Sequence, residues 1–160
     1  MSRAVRRLAE LGLELPPPPR ALAAYQPAVV CDGWVYTAGQ LPLRDGALTA
    51  TGLVGADVDV EEAAAAAAVA ALNALAAIAA EVADLDRVQR VVKVTGFVAS
   101  APGFTDQPLV LNGASQLLAD VLGDAGVHAR SAVGVAALPL NAAVEVEVIA
   151  RIAGGAGAGT

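Results

Sequence analysis

Aromatic residues are scarce: Phe, Trp and Tyr make up 3% of the 160 residues, although 56% of the chain is hydrophobic. So few rings leave no platform for stacking nucleic-acid bases, and a core must be built from Ala, Val and Leu. Cysteine occurs once, at Cys31, which excludes an intrachain disulfide. Histidine also occurs once, at His128, so no cluster resembles a zinc or haem site, and no metal is expected. Basic charge is low as well, with a formal net charge of −6. The first twenty residues hold four arginines against two glutamates, so the acidic excess falls on the rest. Such a surface repels phosphate backbones, and no nucleic-acid partner is expected.

The chain also has little that suits a membrane. Its most apolar run, Ala63 to Ala80, is mostly alanine, contains Asn73, and is flanked by Glu61, Glu62 and Glu81 rather than basic anchors. A buried helix is expected there. Arg3, Arg6 and Arg7 precede Glu10 and Glu14 with no apolar stretch between, so no secretory signal is expected and the cytoplasm is the expected location. The length suits one core. Residues 1–20 read as a helix and Pro-rich arm, 21–153 as one domain, and 154–160 as a Gly/Ala-rich disordered tail.

What is present falls into clear local patterns. Ser2 to Gly12 has apolar residues at three-residue spacing behind a possible Ser2 cap, and Pro16 to Pro19 then enforces an extended connector. Ala28 to Cys31 and Trp34 to Ala38 flank Asp32-Gly33, the pair that a tight hairpin requires because both turn residues take positive φ. A third, weaker strand is expected around Leu48 to Leu53. Asp59 to Glu62 is a D-x-x-E capping signal opening a long alanine-rich helix to about Val82. A strand over Leu85 to Val98 follows, then a helix from about Gln107 to Leu122, capped by Thr105 or Asp106 and ended by Gly123. Strands over Arg130 to Leu138 and Ala143 to Ile152 close the chain. The pattern is α+β, with helices on one sheet face. In the last strand Val144, Val146 and Val148 point one way and Glu145, Glu147 and Arg151 the other, so the acidic side is either solvated or lines a cleft.

Several pieces occur together in a recognisable order. They are Tyr25, Ala28-Val-Val, Gly33-Trp-Val-Tyr-Thr-Ala-Gly-Gln40-Leu-Pro, Asn73, Asn112, Arg130-Ser-Ala-Val-Gly-Val-Ala-Ala-Leu-Pro139 and Val144-Glu-Val-Glu147. Spanning about Tyr25 to Ile152, they resemble the Rid/YjgF (reactive intermediate deaminase, endoribonuclease L-PSP) family. The resemblance implies a chorismate mutase-like fold of the Bacillus type: a six-stranded mixed β-sheet on two long helices, assembled as a homotrimer with clefts between subunits. It implies cofactor-independent hydrolytic deamination of 2-imino and 2-enamino acids to 2-keto acids and ammonia. The alternative is a non-catalytic trimer of the same fold that binds a small carboxylate, with ribonuclease or translation-inhibitor activity ranked last.

The resemblance also assigns roles. Arg130 takes the position of the arginine that holds the substrate carboxylate, a task suited to a planar, permanently charged fork. Glu145 takes that of the glutamate that positions water, and lying close to Arg130 it is expected to keep a low pKa. Tyr25 matches an aromatic residue of the cleft, Gly39 a backbone N–H donor to substrate, and Asn112 a helix residue beside it. Two positions depart from the family pattern. Ala38 stands where a serine is frequent and Ala132 where many members carry cysteine; the serine hydroxyl would add a contact worth about 0.5–1.5 kcal/mol. His128 lies two residues before Arg130, on the same side of an extended segment, where it either shares an anion or proton with the site or merely bonds the backbone.

Overall fold

The computed structural model describes residues 2–18 and 24–153. The expected boundary at 20/21, the end of the proline run at Pro19 and the tail at 154–160 lie outside them. The chain begins with helix α1 (Arg3–Glu10), followed by β1 (Ala28–Cys31), β2 (Trp34–Thr37) and the short β3 (Leu43–Arg44) and β4 (Ala47–Leu48). Helix α2 (Val60–Val82), strand β5 (Val88–Ala99), helix α3 (Gln107–Leu122) and strands β6 (Ala129–Val135) and β7 (Val144–Ile152) complete it.

The architecture is α+β, as expected, but the main sheet has five strands rather than six, in the order β1-β2-β7-β5-β6. Only the β5–β6 pair is parallel, which makes the sheet mixed. The other two strands form a separate small hairpin, β3–β4. Its turn is Asp45-Gly46, with φ of 52° and 82°, the same chemistry that turns β1 into β2 at Asp32-Gly33. The strand expected over Leu48–Leu53 is displaced: β4 ends at Leu48, and no strand continues to Leu53. Gly52 there takes φ 104°, which breaks the extension, and the Asp57 carboxylate accepts the Leu53 N–H at 2.8 Å. The segment is tied instead to the β6–β7 loop, through Gly52 N–H to the Asn141 carbonyl at 2.9 Å.

α2 and α3 cover one face of the sheet, and the core lies between them and alternate residues of β5 and β7. The Asp59 carboxylate caps α2 at the Glu62 N–H, 2.8 Å away. Long and apolar enough by composition to cross a membrane, α2 is nonetheless 67% buried over its most apolar stretch. Its small alanines let α3 approach so closely that a Cβ on Gly113 would collide with the Ala64 carbonyl oxygen. Asn73, buried on α2, donates to the carbonyls of Leu41 (2.9 Å) and Leu43 (3.0 Å) and so fixes the entry to the small hairpin. α1 packs against α3, and its first turn is held from afar: the Asp86 carboxylate accepts the N–H groups of Arg3 (2.7 Å) and Ala4 (2.9 Å).

Candidate functional site: an arginine held on the helical face

β6 is an edge strand, and its register places Arg130 beside Val94, on the face covered by α3. Asn112 and Ser115 stand three residues apart, on one side of that helix. Arg130 Nη1 donates to Asn112 Oδ1 at 3.0 Å and to Ser115 Oγ at 3.1 Å, while Nη2 donates to the Pro108 carbonyl at 3.1 Å. A guanidinium has five N–H donors, and α3 takes three of them. Nε–H and one Nη2–H are left without an acceptor among the described residues. Nε and Nη2 form one edge of the planar group, a fork that fits the two oxygens of a carboxylate. Ala132 follows on the same face beside Gly96, packed against the core.

His128 joins this cluster at the entrance to β6. Its Nδ1 is 2.6 Å from the Gly126 carbonyl oxygen and its Nε2 is 3.0 Å from Ser115 Oγ. A carbonyl can only accept, so Nδ1 carries a proton. In the neutral ring Nε2 then accepts from the Ser115 hydroxyl, and that hydroxyl in turn accepts from Arg130. The histidine therefore bonds the backbone, as one of the two alternatives had it, and is linked to the arginine through the Ser115 hydroxyl.

Glu145 lies elsewhere. Its register partner on β5 is Phe97, which also neighbours Val133 of β6, so the glutamate projects from the face opposite Arg130. The expected low pKa is corrected accordingly: burial pushes the Glu145 carboxyl above its ordinary value, and the Glu147 charge two residues along adds to the rise. Gly39 lies against this carboxylate, and a Cβ there would collide with it. The Gly39 N–H has no acceptor among the described residues. Next to it, Ala38 donates its N–H to the Pro27 carbonyl at 2.8 Å and accepts from Gln40 Nε2 at 3.1 Å. Tyr25 is exposed and shares with Gly39 a groove of about 830 Å³ between the N-terminal arm, the β2–β3 loop and α2.

The expected residues therefore fall into two groups on one chain: Arg130, Asn112 and His128 on the helical face, and Glu145, Gly39 and Tyr25 toward the open face and groove. Over residues 5–152 the chain matches the family described as "YjgF/chorismate mutase-like, putative endoribonuclease". It belongs to this family. Protein TCP17 of Trypanosoma cruzi is 44% identical over 157 residues, covering 94% of each chain. Atu1372 of Agrobacterium tumefaciens, a solved structure, is 48% identical with a TM-score of 0.87, covering 94% of this chain and 92% of that one. E. coli TdcF, solved with bound serine, is 25% identical with a TM-score of 0.62, over 85% of this chain and 94% of that one.

Ser115 and the Pro108 carbonyl were not among the expected site residues. The Asn112–Ser115 spacing on a helix was the available signal for the serine, because it puts both side chains over the same neighbour. A backbone carbonyl leaves no trace in residue type, so Pro108 had none.

Proposed function

We propose that the protein hydrolyses small 2-imino or 2-enamino acids to 2-keto acids and ammonia without a cofactor, at clefts between the chains of a homotrimer. The observation that carries this reading is the Arg130 guanidinium, pre-oriented by three bonds to α3 with its Nε–H and one Nη2–H unbonded among the described residues. Its Nε/Nη2 edge would take the substrate carboxylate, with the unbonded Gly39 N–H as a further donor. Glu145 first protonates the imine nitrogen; water then adds to the imine carbon and gives one proton to the carboxylate. The carbinolamine nitrogen takes that proton back, and as the C–N bond breaks and ammonia leaves, the hydroxyl proton passes to the carboxylate, which leaves the keto group and restores the acid. A carboxyl whose pKa is raised by burial suits proton transfer better than one locked in an ion pair.

Because Arg130 and Glu145 leave opposite faces of one sheet, their meeting requires a second chain. Support for that assembly comes from the open sheet face, where Val29, Tyr36 and Val133 are exposed, and from the unpaired edge of β6. TdcF, a relative that binds serine, is consistent with a ligand bearing a carboxylate beside a nitrogen-substituted carbon.

The test generates imino acids with an amino-acid oxidase and traps them with semicarbazide. Faster loss of imine than in buffer, abolished in Arg130→Ala, is expected; no acceleration with any of several amino acids would sink the proposal. Ala38 and Ala132 favour a second reading, a non-catalytic binder of keto acids, which predicts Arg130-dependent thermal stabilisation without turnover.

A further inference from the structure

We propose that His128 is a titratable positioning residue of the Arg130 site, and that its protonation, relayed by Ser115, tightens the binding of a small organic anion. This deepens the reading of Arg130 as a carboxylate anchor and rests on it. The Ser115 hydroxyl has one proton and two lone pairs, and its two neighbours are Nε2 of His128 at 3.0 Å and Nη1 of Arg130 at 3.1 Å. With the ring neutral, the hydroxyl proton is committed to Nε2. With the ring protonated, Nε2–H becomes a donor, because Nδ1–H is already engaged by the Gly126 carbonyl at 2.6 Å. Ser115 Oγ then accepts from two cations at once, and its own proton turns away from the ring.

Two positive charges sharing one hydroxyl repel each other, and an anion between or beside them relieves the repulsion. The surrounding charges supply no such anion. From β5, Arg90 donates to the carbonyls of Asp124 (2.9 Å) and Val127 (3.1 Å), the backbone that leads into His128. Lys93 of the same strand points to the other face and donates to Ser131. The α3 carboxylate, Asp120, accepts from Gln116 at 2.9 Å, and the carboxylate of Asp124, an exposed residue in the turn before His128, bonds neither the His128 ring nor the Arg130 guanidinium. Among the described residues the one ion pair is Arg7–Glu10, remote from this cluster. The counter-ion of His128 and Arg130 is therefore external, and proton uptake at His128 and anion binding at Arg130 favour each other. Linkage makes the coupling reciprocal: the anion must raise the titration midpoint of His128 by the factor with which protonation tightens the anion.

The chain has a single histidine, so in tag-free protein its ring resonances are assignable without substitution. The experiment follows those resonances by NMR through a pH titration, with and without saturating 2-oxobutyrate, and measures the Kd of 2-oxobutyrate at about pH 8 and about pH 5.5, a window that brackets ordinary imidazole titration. The expected result is a higher midpoint with the keto acid present and a Kd about fivefold lower, or more, at the acid end. His128→Gln should remove the pH dependence, and Ser115→Ala should shrink the ligand-induced rise in midpoint. If the keto acid binds but leaves the midpoint unmoved, or if His128→Gln keeps the same pH dependence, the proposal is overturned while the Arg130 anchor stands. If Arg130→Ala binds the keto acid as tightly as the unaltered protein, the anchor reading itself falls, and this proposal with it.

Discussion

Arg130 is half-buried and carries a permanent charge with no carboxylate partner among the described residues, yet three of its N–H groups are bonded to neutral acceptors of α3. Such a side chain is oriented but not neutralised, which is what an anion site needs before its ligand arrives. Arg130→Lys keeps the charge and loses the planar edge, so keto-acid affinity, measured calorimetrically, should fall by about tenfold or more. Glu145 has the opposite character. With its folded pKa above the unfolded one, the carboxyl favours the folded state most when protonated; that contribution is complete below the unfolded value and is lost as pH rises through the folded one. Glu145→Gln should therefore match the unaltered protein in acid and be the more resistant to denaturant near neutrality. A Glu145→Gln protein that is instead less stable near neutral pH would show the ionised carboxylate to be a net stabiliser. Gly39 is sterically bound to the same residue: Gly39→Ala must displace the Glu145 side chain, and lost turnover with retained keto-acid binding is the expected signature.

At the scale of elements, two contacts fix how α1 and α3 sit in the fold. Asp86 caps α1 across the fold, and although burial opposes it, the N–H groups of Arg3 and Ala4 and the charges of Arg3 and Arg6 hold its pKa below the ordinary value. A depressed carboxylate stabilises above its unfolded pKa and stops doing so as pH falls through the folded one. Asp86→Ala should cost about 1 kcal/mol in chemical denaturation, with the difference closing in strong acid. Gly113 lets α3 meet the α2 backbone, so Gly113→Ala should shift α3, destabilise by about 1–3 kcal/mol and loosen Arg130 with it. Local signals were legible here: the Asp59 cap, the Asp32-Gly33 turn and the alternation in β7 each describe chemistry complete within a few residues. Asp45-Gly46 carried the same turn signal as Asp32-Gly33, but its strands are two residues each, too short for an alternating pattern to show. The Asp86 cap joins residues more than eighty positions apart and has no local signature.

For the whole molecule, the residue types of the site were legible from the chain, whereas their sidedness was not. Arg130 and Glu145 can be named from their motifs, but which face each leaves depends on the β5–β6 and β5–β7 registers, which only the assembled sheet defines. That sidedness separates the two groups on a single chain and is why the proposed activity depends on the proposed trimer. Sedimentation in solution should give three chains per particle, and a variant with Val133→Lys on the open face should yield smaller particles that neither turn over imine nor regain activity at working concentration. The most direct test is a crystal structure of the protein grown with 2-oxobutyrate. The account predicts the ligand carboxylate on Nε and Nη2 of Arg130, with the Glu145 carboxyl of a neighbouring chain facing the keto carbon. A keto acid bound away from Arg130, or a ligand on Arg130 with no second chain in reach, would contradict it.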